Sequence, residues 1–379
     1  MKAFLLAGLS AVILGACAST PPPAATRIPE AILAESVTFR IIPMEEILAS
    51  EPRFAPGGDA KAYVASYLDW LAAPGHLMER SAMFTGGPPP GLPDDADFEA
   101  ILMALASEGH TAAMLMNEGD DIDSLVGLAD KGDPTAKLAI EMTNISVGSL
   151  QQKVDALAWF RSQAPANKDA AFALGTTLLS QASGMDGMDG MMGAFGGAAT
   201  PGEVREGAAM LVEVARAAPL DVMVQIGTLM SMHAGVDAAV DKHARKILEL
   251  VVSSTKAEAV PQPDFSSLED PDVYARYEAQ MMSLNSAVES RIGLADMLRK
   301  GLGGATDVEL AKTLYREALV AAQDYRAYEA LAAMGVDVSE YDSLFMGPAD
   351  GGDDWWDLEP EGDVPDTPEP APAPNPAPN

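Results

Sequence analysis

Apolar residues recur at steps of three and four along most of the chain, the spacing of a helix with one buried face. The clearest run covers residues 286–335. Ser286 and Glu289 have the spacing of a capping box and predict a helix start. Val288, Ile292, Ala295 and Leu298 then line one face. Arg299 and Lys300 suit the negative end of the helix dipole, and Gly301 suits a left-handed stop. Thr306 and Glu309 predict a second capping box, opening a helix with Leu310, Ala311, Leu314, Ala318 and Leu319 on its apolar side. A third helix is expected after Gln323 and Asp324. The product is a helical hairpin whose apolar face is left for a neighbour to cover, and small residues at Ala311 and Ala318 allow that neighbour to come close.

Fainter versions precede it. Helical periodicity predicts helices over residues 59–71, 97–107, 111–116, 122–130, 204–217, 220–232, 241–252 and 273–282. Thr200-Pro201-Gly202-Glu203 predicts a capping box with proline at the first helical position. Residues 37–42 alternate and predict a short strand or extended cover ended by Pro43. Residues 86–93, GGPPPGLP, form a non-helical link. Residues 183–200 and 253–271 interrupt the helical pattern and are expected to be insertions.

The pattern G-x-G-G-x-x-D-x-x-x-A-x-x-L-Y-x-x-A from Gly301 to Ala318, followed by A-Y-E-A-L-A-A-M-G from Ala327 to Gly335, resembles the Sel1-like repeat. That family is a branch of the tetratricopeptide helical repeats. The stretch from Ala129 to Ala136, ADKGDPTA, resembles the junction where one such repeat hands over to the next. Comparable junctions fall 35 residues on at Ala164, 51 further at Ala215, and near Val320. A period of about 34–36 residues is that of a two-helix solenoid repeat. The expected fold is therefore all-α: a Sel1-like, tetratricopeptide-like α-solenoid of antiparallel hairpins over residues 94–346. An N-terminal helical or cover region, 37–93, precedes it.

Residues 1–17 carry one basic residue and an apolar run from Ala3 to Leu14, too short to cross a bilayer core of ~30 Å. This reads as a signal peptide, residues 1–16. Leu14-Gly15-Ala16-Cys17 resembles the lipobox of bacterial lipoproteins. The resemblance implies that the Cys17 thiol takes a diacylglyceryl group, that cleavage falls before it, and that the new amine is acylated. Ala16-Cys17-Ala18 also fits ordinary secretory cleavage after Ala18. Cys17 is the only cysteine, so lipidation explains a thiol that would otherwise stand unpaired in an exported chain. In that family an Asp after the lipidated Cys favours the inner membrane. Ala18 stands there, which implies the periplasmic face of the outer membrane. Residues 17–36, proline-rich over 19–29, read as the lipidated tether.

The chain has 379 residues, 48% of them apolar, and a net charge of −32. Removing residues 1–16 takes Lys2 and makes the charge one unit more negative. Such a surface repels polyphosphate backbones, so nucleic acid is excluded as a partner. Residues 347–379 read as an acidic, proline-rich, disordered tail, with nine carboxylates between Asp350 and Glu369 and no Lys or Arg after Arg326. Within it Trp355 and Trp356 lie among acids. They either cap the last helices of their own chain or act as anchors that dock on a partner.

Candidate chemistry is sparse. The stretch GMDGMDGMMG, residues 184–193, offers the soft thioethers of Met185, Met188, Met191 and Met192. These suit Cu(I) in principle, while methionines resting on a helical surface explain the same composition. His76, His110, His233 and His243 are scattered, although His233 and His243 stand at opposite ends of a turn and could meet. No nucleophile elbow, zinc-protease motif, phosphate loop or dinucleotide fingerprint is present. Some cysteine-rich Sel1-like relatives are linked to β-lactam binding or hydrolysis, but their paired cysteines are missing. The expectation is a non-catalytic, lipid-anchored scaffold that binds envelope proteins and needs no cofactor. A metal or small-ligand carrier using residues 184–193 is the alternative, and an envelope hydrolase the third.

Overall fold

The computed structural model describes residues 28–73, 75–76, 80, 88–116, 122–182, 200–264 and 270–345. Among these the chain is helical almost throughout, with two residue pairs in strand. The order begins α1 (Ile28–Ala34), β1 (Arg40–Ile41), α2 (Met44–Leu48), α3 (Ala60–Leu71), α4 (Phe98–Ser107) and α5 (Thr111–Met116). It continues with α6 (Ile122–Asp130), α7 (Pro134–Val147), α8 (Leu150–Gln163), α9 (Lys168–Ala182), α10 (Pro201–Ala215) and β2 (Ala217–Ala218). Then come α11 (Leu220–Ser231), α12 (Ala238–Ser254), α13 (Pro271–Lys300), α14 (Val308–Ala322), α15 (Tyr325–Ala333) and a short α16 (Asp342–Phe345). No helix of the described residues is long and apolar enough to cross a membrane.

Several of the acidic residues serve helix starts. Asp59, Asp97, Asp133, Asp237, Asp307 and Asp324 each accept a backbone N–H of the helix they open. A carboxylate there satisfies an orphan donor and meets the positive end of the dipole. Ser149 with Gln152 and Thr200 with Glu203 form complete capping boxes, the second with Pro201 at the first helical position as expected. Gly301 (φ +69°) and Gln323 (φ +53°) end α13 and α14 in the left-handed region.

Two places depart from the local pattern. Ser286 does not start a helix: α13 runs unbroken for 30 residues, about 45 Å at 1.5 Å per residue. No Pro or Gly separates the pattern over 273–282 from the one after Ser286, so the two merge. The Ser286 carbonyl accepts the Ser290 hydroxyl at 2.8 Å, an interior helix bond. The next helix is capped by Asp307, which accepts Leu310 N at 3.0 Å, and not by Thr306. Its buried face is Ala311, Leu314, Tyr315, Ala318 and Leu319, and Leu310 is exposed.

Two apolar clusters form. A smaller one joins α2 to α5 around Val64, Leu68 and Ala113. The larger one runs from α7 to α15 and includes Ile32, Leu33 and Val37. The expected tether over residues 17–36 is therefore too long: α1 is part of the folded body, resting on α10 and α12. The alternating stretch that follows supplies β1, which pairs in parallel with β2, Arg40 opposite Ala217 and Ile41 opposite Ala218. Within the larger cluster helices pack in sequence-adjacent pairs, α9 on α10, α11 on α12 and α13 on α14.

The first pair is the tightest. A β-carbon added at Gly175 of α9 would lie 2.6 Å from Leu211 Cγ and 2.9 Å from the Gly207 carbonyl oxygen of α10. Gly175→Ala is therefore expected to overpack, costing ~1–3 kcal/mol. Gly127→Ala, in the middle of α6 with open space at its Cβ, is expected to gain ~0.5–1 kcal/mol. Urea unfolding of the two variants checks the opposite signs.

Candidate functional site

The first helix of each pair faces a common groove of ≈ 340 Å³. Residues spaced by one turn place their side chains on one helix face. Thr176 and Ser180 come from α9, and Gln225, Thr228, Leu229 and Met232 from α11. Asn285, Ser286 and Glu289 come from α13. Each helix reaches its place for a local reason. Asn167 caps α9, accepting Asp169 N at 2.9 Å, and Asp221 lies in the first turn of α11. The unbroken course of α13 carries Asn285 and Ser286 onto the groove wall.

The groove is amphipathic and nearly neutral. Its one charged lining residue, Glu289, takes Nη1 of Arg326 at 3.0 Å on one oxygen and Nη2 on the other. Arg326 also holds Asp324, and these partners raise the guanidinium pKa further above its usual value. The amides of Gln225 and Asn285 have no partner among the described residues. Met232 leaves an apolar edge, half exposed at 51%. The hydroxyl of Thr228 is fully buried and has no hydrogen-bond partner among the described residues, which is costly to the fold. Thr176 differs, since its hydroxyl is used locally by the Phe172 carbonyl at 2.8 Å.

Arg291 holds one side of this arrangement in place. Nearly buried, it donates to the Thr255 hydroxyl at 3.1 Å, the Thr255 carbonyl at 2.8 Å and Glu317 at 2.7 Å. That ties α13 to the end of α12 and to α14. Tyr315, buried on α14, donates to Asp296 at 2.8 Å, and burial with that carboxylate pushes its phenol pKa up.

The histidines do not gather. His233 and His243 are both buried, and they do not meet. His233 Nε2 lies 2.7 Å from the Leu179 carbonyl, and His243 Nε2 lies 3.1 Å from the Leu33 carbonyl. Burial, partly countered by those bonds, holds both pKa values below the usual histidine value. His110 stands apart, 3.3 Å from Asp69. No group of three or more His, Cys, Asp or Glu positioned for a metal occurs among the described residues. Cys17, Met185, Met188, Met191, Met192, Trp355 and Trp356 lie outside the described residues. A second cavity of ≈ 370 Å³, between Phe54, Ala60, Pro93 and Asp95, contains one ionisable group.

Sequence reading missed the groove, because its lining comes from three helices spread over more than a hundred residues. The one local signal was the uncharged stretch from Ala279 to Val288 in a strongly acidic chain. Compared with known proteins, the chain matches no family model, no curated protein and no solved structure.

Removing the orphan hydroxyl gives a direct check. Thr228→Val is expected to leave the free protein as stable or more stable by up to ~1 kcal/mol, since a buried unsatisfied group is lost. Thermal unfolding measures it, and a clear loss of stability would show that the hydroxyl has a partner.

Proposed function

We propose that the chain is a non-catalytic interaction scaffold, an α-solenoid of Sel1-like, tetratricopeptide-like hairpins that binds envelope proteins through the groove between α9, α11 and α13. The pairing of α9 with α10, α11 with α12 and α13 with α14 supports the hairpin reading. The observation that carries the function is the groove itself, which presents the amides of Gln225 and Asn285 beside the apolar Leu229 and Met232. Such a surface recognises a partner segment by hydrogen bonds to its backbone and apolar contact with Met232 and Leu229. It offers no nucleophile–base pair, and its one carboxylate is neutralised by Arg326. An envelope-hydrolase role would need a poised acid or nucleophile here.

The proposal includes anchoring. Cys17, in the lipobox-like sequence, carries the acyl chains, and the body is held at the periplasmic face of the outer membrane. Two or three acyl chains give stable binding where one chain is marginal.

Two measurements test the two parts separately. Crosslinked envelopes should yield one stoichiometric partner with the native chain, lost at least ~10-fold with Gln225→Ala combined with Asn285→Ala, at unchanged melting temperature. A partner retained by that double variant would remove the groove from the function. Metabolic labelling with palmitate should mark the native chain and not Cys17→Ala, and equal labelling of both would remove the anchor.

A further inference from the structure

We propose that residues 28–41 are a releasable strap, held on the body through α1 and β1 and let go when the His243 ring takes up a second proton. The strap is an added piece and not the centre of the core. It contributes Ile32, Leu33 and Val37, while α10 already packs on α9 and α12 on α11 and α13. Its polar attachments are few. The ladder of β1 on β2 is flanked by Arg40 N donating to the Arg216 carbonyl at 3.1 Å and Ile42 N to the Ala218 carbonyl at 2.9 Å. Glu35 takes Arg216 at 2.6 Å.

His243 is the buried element of this attachment. Its ring, 1% exposed, places Nε2 against the Leu33 carbonyl at 3.1 Å, so the neutral ring carries its hydrogen on Nε2 and donates it. The other nitrogen, Nδ1, is buried and has no partner. Phe39 packs edge-on against the ring at 6.0 Å between centroids. A proton added at Nδ1 would find no acceptor and would stand beside an apolar ring.

The charges around the ring oppose it as well. Lys242 and Lys246 on α12, and Arg216 after α10, all disfavour a cation there. The carboxylates within the attachment are committed: Glu35 and Glu213 to Arg216, and Glu46 to Arg40 beside β1. A ring released to solvent titrates near 6.5, the ordinary value, and the docked ring titrates lower. The pH-dependent part of docking is therefore fully present above about pH 6.5, and each unit of acid below it favours release by up to about tenfold until the docked ring also titrates.

Release changes reach. Resting on the anchor proposed above, residues 18–27 span at most about 35 Å between Cys17 and a docked strap, and undocking residues 28–41 adds up to roughly 45–50 Å. The groove lies on other helices and keeps its form in both states.

Hydrogen exchange read by mass spectrometry, on the purified full chain in lipidated and Cys17→Ala forms, tests this between pH 8 and 5 after correction for intrinsic rates. Peptides covering residues 28–41 should lose protection several-fold, up to about tenfold, between pH 7.5 and 5.5, while peptides from α10 keep theirs. His243→Gln, whose amide can donate to Leu33 without titrating, should stay docked at both pH values, and His233→Gln should behave as the native chain. Unchanged protection of residues 28–41, loss that persists in His243→Gln, or simultaneous loss in α10 would each overturn the strap. Should His243→Gln fail to fold, a histidine NMR titration of the unmodified chain replaces it, with the release midpoint required to coincide with His243 and not His233. Acid release in a chain that takes no palmitate would keep the strap and remove only the anchor.

Discussion

Gly175 on α9 and Gly207 on α10 let two helix backbones come so close that a methyl group at Gly175 would strike the opposing carbonyl. The same need for small residues recurs between α13 and α14, where Ala295, Ala311 and Ala318 are fully buried. Close helix pairs bury their faces efficiently with few large side chains, which suits a chain with 6% aromatic residues. Once each pair is fixed, its first helix can present one face to a shared groove. The cavity is thus a consequence of pairing, and not a pocket carved by loops.

A net charge of −32 would oppose compaction if the carboxylates were spread evenly over the surface. Several are instead placed where negative charge stabilises the fold. Six aspartates cap helices, and Glu289, Glu317 and Glu206 hold arginines that bridge separate helices. The exposed pairs of Arg326 and Arg161 contribute little each and chiefly orient those side chains, whereas Arg291 is buried. Around the groove this leaves a neutral surface on an acidic body. The partner of the proposed scaffold would then be selected by hydrogen-bond pattern and shape, with charge acting only at longer range.

Features carried by neighbouring residues were legible in the sequence. Thr200-Pro201 with Glu203 opens α10, Val288, Ile292, Ala295 and Leu298 are buried together, and Gly301 stops α13. Ser286 misled because a capping box describes a local preference that an uninterrupted helix overrides. Thr306 misled because Asp307, one residue later, caps more strongly. The strap was legible only in part: the alternation over residues 37–42 predicted its strand, but not where it docks. β1 pairs with residues 177 positions away, a contact whose partner no local pattern could name. Thr228 has the same character, since a hydroxyl in an apolar periodic helix becomes informative only when its surroundings are known to be dry. Cys17, the methionines of residues 184–193 and the tail tryptophans belong to stretches where the sequence remains the sole source.

The two surfaces that matter divide between alternate helices. The strap rests on α10 and α12, the second members of their pairs, and the groove is lined by α9, α11 and α13, the first members. Because a helix buries one face against its pair and shows another outward, attachment on the second members does not occupy the face used for binding. On the proposed reading, a chain held through the strap can therefore carry a partner on the groove at the same time. The connection between the two runs through α12, which bears His243 on the strap side and is joined to α13 by Arg291 at its other end.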